Sequence, residues 1–157
     1  MKNRINWKVL ILCLIAVYLI AFVGSLFTFQ SVNSSWYESI KPDITPPNYV
    51  FPIVWNILFF LIALSIYFLW TSAKNQSTKK SIAILFGINL FFNLLWSYLF
   101  FGTENPQGAF IDLILIWISI LTLFILTYRV NKKSFYLLVP YFLWVSFAGI
   151  LNYLSAF

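Results

Sequence analysis

Histidine is absent from the 157 residues, cysteine occurs once, and aspartate and glutamate together occur four times. Without histidine there is no imidazole to act as a general base, to hold zinc or to sit on a haem iron. The single cysteine, Cys13, lies inside an apolar run, which excludes an internal disulfide and a paired-thiol motif. The four acids, Glu38, Asp43, Glu104 and Asp112, are too few and too scattered for a carboxylate metal cluster, so no metal site is expected. Charge of either sign is scarce as well, at 9% of residues, where a soluble domain carries about one quarter. Hydrocarbon fills the chain instead: 62% of residues are hydrophobic, 22% are aromatic, and the mean hydropathy is +0.89. Such a chain cannot clothe a water-soluble globule, which excludes a cytosolic enzyme, a nucleic-acid module and a disordered protein. What remains is an integral membrane protein of one domain, residues 1–157, with the lipid bilayer as its partner.

A bilayer core about 30 Å thick needs about 20 apolar residues in a helix. Five stretches meet that length, roughly 9–29, 50–71, 82–101, 109–128 and 135–157. They are continuously apolar rather than alternating, so they read as helices and not as barrel strands. The fold class is therefore an all-α bundle of five transmembrane helices. The links at Ser72 to Lys80, Gly102 to Gln107 and Arg129 to Ser134 are short. They predict antiparallel sequential helices that pack as neighbours. The first apolar run is too long for the core of a signal peptide and is read as a retained helix.

Charge placement predicts the orientation. Nine of the ten basic residues (Lys2, Arg4, Lys8, Lys74, Lys79, Lys80, Arg129, Lys132 and Lys133) fall at span ends on one side, and only Lys41 falls on the other. Basic residues stay on the cytoplasmic side, so the N-terminus is expected inside and the C-terminus outside. A bacterial cytoplasmic membrane fits this bias. The net charge of +6 then needs no nucleic acid to explain it.

The connection from Gln30 to Asn48 is too long for a turn and carries Trp36, Tyr37, Pro42, Pro46 and Pro47. Prolines fix φ and remove donors, which stiffens it. It reads either as a lid over the outer mouth with Tyr37 pointing inward, or as a segment whose aromatics sit in the interfacial belt. On the third span Asn89, Asn93 and Trp96 share one helical face, with Ser97 beside them. Buried amides are costly in hydrocarbon and turn into the bundle. Hydrogen bonding between helices is the better account of Asn89, whereas for Asn93 that account and a ligand-binding wall are balanced. Trp55 and Trp144 lie inside their spans and need partners for their N–H groups. They are either packing residues or, with Phe59, Tyr37 and Trp96, the lining of a flat aromatic cavity. Asp112 is expected at the opening of the fourth span, where stabilisation by the helix dipole is favoured over a proton-relay role. Ala83 and Gly87 form a small-xxx-small patch that could serve the bundle or a homodimer.

In this order, WYESIKPDITPPNYVFPIVWNILF, NLLWSYLFFG and PYFLWVSFAGILNY resemble the signatures of the translocator-protein family, also called the tryptophan-rich sensory protein or TspO/MBR family. The resemblance covers nearly the whole chain. It implies a pocket beneath the first loop that binds porphyrins and similar flat hydrophobic ligands. By position it assigns the pocket to Tyr37, Pro46, Trp55, Phe59, Asn93, Trp96, Ser97, Trp144, Ala148 and Leu151. It implies no required cofactor, the porphyrin being a ligand. Light- and oxygen-dependent porphyrin degradation, with Trp55 and Trp144 as redox participants, is the alternative it raises, and tetrapyrrole transport is another. No residue is nominated as catalytic in the polar sense. Porphyrin carboxylates are expected near Lys41 or the loop amides. Ile44 stands where the family's loop usually carries an aromatic residue, which predicts a looser lid. No Lys or Arg follows Tyr153, so the C-terminal sterol motif is incomplete.

Overall fold

The computed structural model describes residues 5–157; Lys2 and Arg4, two of the basic residues behind the orientation argument, lie outside them. The elements are α1 (Trp7–Ser31), α2 (Ser35–Ile40), α3 (Val50–Ser72), α4 (Gln76–Ser97), α5 (Pro106–Val130) and α6 (Lys132–Ala156). A π-helical turn, Tyr98–Gly102, continues α4. Five of these helices are long and apolar enough to cross a membrane, and no strand occurs among the described residues. The protein is an all-α integral membrane protein.

Asparagine punctuates the chain. Asn6, Asn75, Asn105 and Asn131 each accept a backbone N–H of the helix that follows, at 2.8–3.4 Å. Ser34 caps α2 in the same way, at 3.1 Å to the Tyr37 N–H. Each cap satisfies a donor that has no partner within its own helix. These caps also place the helix starts earlier than the apolar runs alone do. The fourth span begins at Pro106, not near 109.

That shift overturns the expectation for Asp112. The residue lies in the second turn of α5, and the first turn holds no acid. The dipole's influence falls off within the first turn, so it does not account for this carboxylate. Asp112 is buried, and neither of its oxygens has a hydrogen-bond partner.

The helices close a ring in the order α1, α3, α6, α5, α4 and back to α1. The short links behave as expected for α4–α5 and α5–α6. They do not for α3–α4, which touch only marginally because both pack on α1. A three-residue link fixes antiparallel direction but not which face a helix presents, and packing settles the neighbour. Ala83 and Gly87 are exposed on the outer face of α4, where a Cβ on Gly87 would meet nothing within 4 Å. The patch is therefore not used inside the bundle.

Lipid tails are as apolar as the helices they surround, so close packing and polar contacts specify the bundle. Ser65 of α3 and Ser134 of α6 are fully buried and donate to each other's backbone carbonyls, at 3.0 and 2.9 Å. Nearer the ring's centre Tyr141 is fully buried and joins three helices. Its hydroxyl donates to Asn89 Oδ1 (3.2 Å) and accepts from Asn93 Nδ2 (3.4 Å). Asn89 Nδ2 donates to Ser119 Oγ of α5 at 2.7 Å. Above this polar layer, towards α2, the ring does not fill.

Candidate functional site

The unfilled end of the ring is a cavity of about 480 Å³, within the size range of small-molecule sites. All five spans wall it, and the loop around α2 roofs it. From α3 come Trp55 and Phe59, four residues apart and therefore on one face, with rings stacked at 5.3 Å and 29°. Tyr141 meets the Trp55 ring edge-on at 6.2 Å, which ties this wall to the polar layer below. From α4 come Asn93, Trp96 and Ser97. Trp96 stacks on Phe100 at 5.1 Å and 22°. Its indole N–H donates to Asn152 Oδ1 at 2.9 Å, and Asn152 Nδ2 donates to the Pro106 carbonyl at 2.8 Å. One indole is thus held by two other helices. From α6 come Trp144, Ala148 and Leu151, which recur at helical spacing.

Nine of the ten residues assigned by resemblance therefore lie on this wall. Pro46 does not; the loop residues that do are Val32, Tyr37, Pro42, Thr45 and Asn48. Asn89 lies below the cavity and serves only the hydrogen-bond network. The sequence reading also passed over two groups. The first is an α1 wall of Ala21, Gly24, Ser25, Thr28 and Phe29, whose small residues at helical spacing were the available signal. Phe29 and Phe22 are 84% and 62% exposed, and Pro52 and Asn56 of α3 are exposed too, so the cavity opens sideways through the α1–α3 seam. The second group is Phe100 and Phe101. Consecutive residues of an α-helix diverge by about 100°, yet both rings are buried and both pack on Tyr37, at 6.3 and 5.5 Å. The wider π-helical turn allows this, and no hydrophobic period announces it. Gly102 ends that turn where a Cβ would come within 3.1 Å of the Tyr98 ring and 3.2 Å of the Phe27 ring.

Of the two readings of the first loop, the structure supports the lid. Tyr37 is buried on the π-helical turn and lines the cavity, while Trp36 packs edge-on against Phe100 at 5.8 Å. Burial, and after it the adjacent Glu38 carboxylate, push the Tyr37 phenol above its ordinary value. The docked loop therefore holds this proton more tightly than a detached one. Docking of α2 should be indifferent to pH between about 6 and about 9 and should weaken above about 10. A tyrosinate absorbance titration checks this. One step above the ordinary tyrosine range should vanish in Tyr37→Phe, and an unchanged curve would remove Tyr37 from the lid.

Among the described residues, no lysine, arginine, aspartate or glutamate lines the cavity. Lys41 lies beside the mouth, but its Nζ is held by Glu38 at 2.8 and 2.9 Å and lies 5.8 Å from the Tyr37 ring centre. The arrangement suits a flat apolar body against indole and phenyl faces, with amides and hydroxyls as polar anchors.

The TspO/MBR family model matches residues 11–156. The chain belongs to the TspO/MBR family. This TspO/MBR chain is 40% identical over 146 residues to the tryptophan-rich protein TspO of Archaeoglobus fulgidus, covering 92% of each. It is 39% identical over 147 residues to that of Chlorobaculum tepidum, covering 92% of this chain and 91% of the relative. At greater distance it is 30% identical to the translocator protein of Homo sapiens, over 84% of this chain and 79% of the human one. The lid, the stacked α3 pair and the Trp96 wall of this TspO/MBR protein all fall within the matched residues.

Proposed function

We propose that this protein is a membrane receptor that holds porphyrins and similar flat hydrophobic molecules in the cavity beneath α2. The observation that carries the reading is an uncharged cavity of about 480 Å³ between the Trp55–Phe59 and Trp96–Phe100 stacks. Burying about 400 Å² of apolar ligand surface would contribute about 10 kcal/mol gross at about 25 cal/mol per Å². Ordering and desolvation offset part of that, so affinity is expected in the micromolar range, about −8 kcal/mol. The names of relatives, translocator protein and tryptophan-rich sensory protein, accord with a ligand-receiving role.

The distribution of charge supports one orientation in the membrane. Lys8, Lys74, Lys79, Lys80, Arg129, Lys132 and Lys133 gather at the end away from the cavity. With the basic end on the cytoplasmic side of a bacterial membrane, the N-terminus lies inside and the cavity faces outward.

The test is a porphyrin titration of the detergent-solubilised protein, read by tryptophan emission. Saturable quenching at micromolar ligand is expected, and a linear, non-saturating response would remove the receptor reading. A second reading, light-dependent breakdown of the bound porphyrin, is favoured by the oxidisable indoles of Trp55 and Trp144 on the wall. Illuminating the saturated samples separates the two: a stable porphyrin spectrum leaves the receptor alone.

A further inference from the structure

The end of the bundle away from the cavity holds cations and no acid. Glu38, Asp43 and Glu104 lie at the cavity end, and Asp112 lies within α5. The one ion pair among the described residues, Lys41–Glu38, is also at the cavity end. At the basic end Lys8, Lys74, Lys80, Arg129, Lys132 and Lys133 are exposed. Two ammonium groups lie over rings, Lys79 at 5.7 Å from the Trp70 centre and Lys132 at 5.1 Å from that of Tyr128. A ring face attracts a cation without neutralising it.

Several of these cations also stand against the helix dipoles. The helices α1, α4 and α6 begin at this end, and the first turn of none of them holds an acid. Lys8 occupies the first turn of α1, and Lys132 and Lys133 that of α6. Each therefore meets the positive pole of its own helix, where an anion would be stabilising.

Tertiary contacts gather the charge. Asn131 Nδ2 donates to Ser72 Oγ at 2.7 Å and to the Phe68 carbonyl at 3.4 Å, both at the end of α3. Its Oδ1 accepts the N–H groups of Lys133 and Ser134. One side chain thus starts α6 and pins it to α3. Lys74 follows Ser72 by two residues, and Lys132 and Lys133 follow Asn131 directly. Three cations from two separate links therefore lie within two residues of one hydrogen bond. The Asn6 N–H donates to the Tyr67 hydroxyl at 3.1 Å, which ties the start of α1 to α3 as well. Trp70, Tyr128 and the exposed Tyr136 stand at the same level. Aromatic residues at span ends mark the depth of lipid head groups, where the phosphates lie.

We propose that the junction of Lys74, Lys132 and Lys133 binds the head group of an anionic phospholipid, best one that carries two phosphates. Orientation needs only that basic residues share a side of the membrane. A site needs these three, and that difference is testable. The detergent-solubilised protein is offered an equimolar mixture of cardiolipin, phosphatidylglycerol and phosphatidylcholine, and retained lipid is counted by native mass spectrometry. Cardiolipin is expected at about tenfold the occupancy of phosphatidylcholine, with phosphatidylglycerol between them. Lys74→Gln/Lys132→Gln/Lys133→Gln should bring cardiolipin down to the phosphatidylcholine level. Lys8→Gln/Lys80→Gln/Arg129→Gln removes the same charge from the same end and should lower it by less than about threefold. Without lipid the first variant should unfold no lower than wild type, because two cations leave the positive pole of α6. A lower midpoint would make those lysines part of the fold and count against the site. Equal losses in the two variants, or equal retention of the three lipids by the wild type, would overturn the inference. Displacement of cardiolipin by millimolar inorganic pyrophosphate would assign the site to a soluble anion and overturn it too.

Discussion

Replacing Trp55 with alanine is expected to weaken porphyrin binding roughly thirtyfold while leaving the bundle folded. The indole stacks on Phe59 at 5.3 Å and presents its surface to the cavity. A ligand that loses about 80 Å² of contact with it forgoes about 2 kcal/mol, which is the thirtyfold. The fold should survive because Trp55 lies at the cavity rim of α3, whereas the residues that close the helix crossings are Ile62, Ala63 and Leu69, all fully buried. The comparison variant is Trp117→Phe, whose indole faces away from the cavity and donates to Ser146 Oγ at 3.0 Å. It should leave affinity unchanged. Equal affinities for wild type and Trp55→Ala, with equal helical circular dichroism, would mean that the α3 aromatics do not touch the ligand.

Tyr141→Phe is expected to be among the most destabilising single-atom changes in the protein. Removing the hydroxyl leaves Asn89 Oδ1 without its donor at 3.2 Å and Asn93 Nδ2 without its acceptor at 3.4 Å. Asn89 is fully buried and Asn93 nearly so. An unmade buried bond costs about 1–3 kcal/mol. For a chain of this length each kcal/mol lowers Tm by about 2–4 °C. Thermal unfolding in detergent measures the change. Tyr136→Phe, at a side chain 65% exposed on the same helix, serves as the control and should stay within about 0.5 kcal/mol of wild type. Coincident transitions for the two variants would show that the amide–phenol chain contributes nothing to joining α4, α5 and α6.

Several elements of both fold and site are legible in the residues themselves. Span number follows from the apolar runs, because a helix in lipid must satisfy its own backbone and be long enough to cross. The Asn caps span only three or four residues each, a local signal that the apolar runs alone do not carry. Trp55 with Phe59, and Asn93 with Trp96, share faces by helical period alone. The resemblance carries this further: of the ten residues it assigns, nine lie on the cavity wall. Other features resist such reading. The π-helical turn at Tyr98–Gly102 breaks the period on which a face assignment depends. Pro46 and Pro42 are equivalent as stiffening residues, and only the path of the loop puts Pro42, not Pro46, over the cavity. Asp112 looks like an N-terminal acid until the Asn105 cap moves the helix start back to Pro106.

The amino-acid sequence by itself determined that this protein spans a membrane, how many times it does so, and which residue types are available to a ligand. Those properties depend on composition and on contacts within a few residues along one helix. Only the tertiary structure decided that α1 separates α3 from α4 and that the ring stays open at the α2 end. Each of these depends on how side chains from distant segments interlock, and helices of nearly uniform hydrophobicity carry little in their pattern to say which face will meet which.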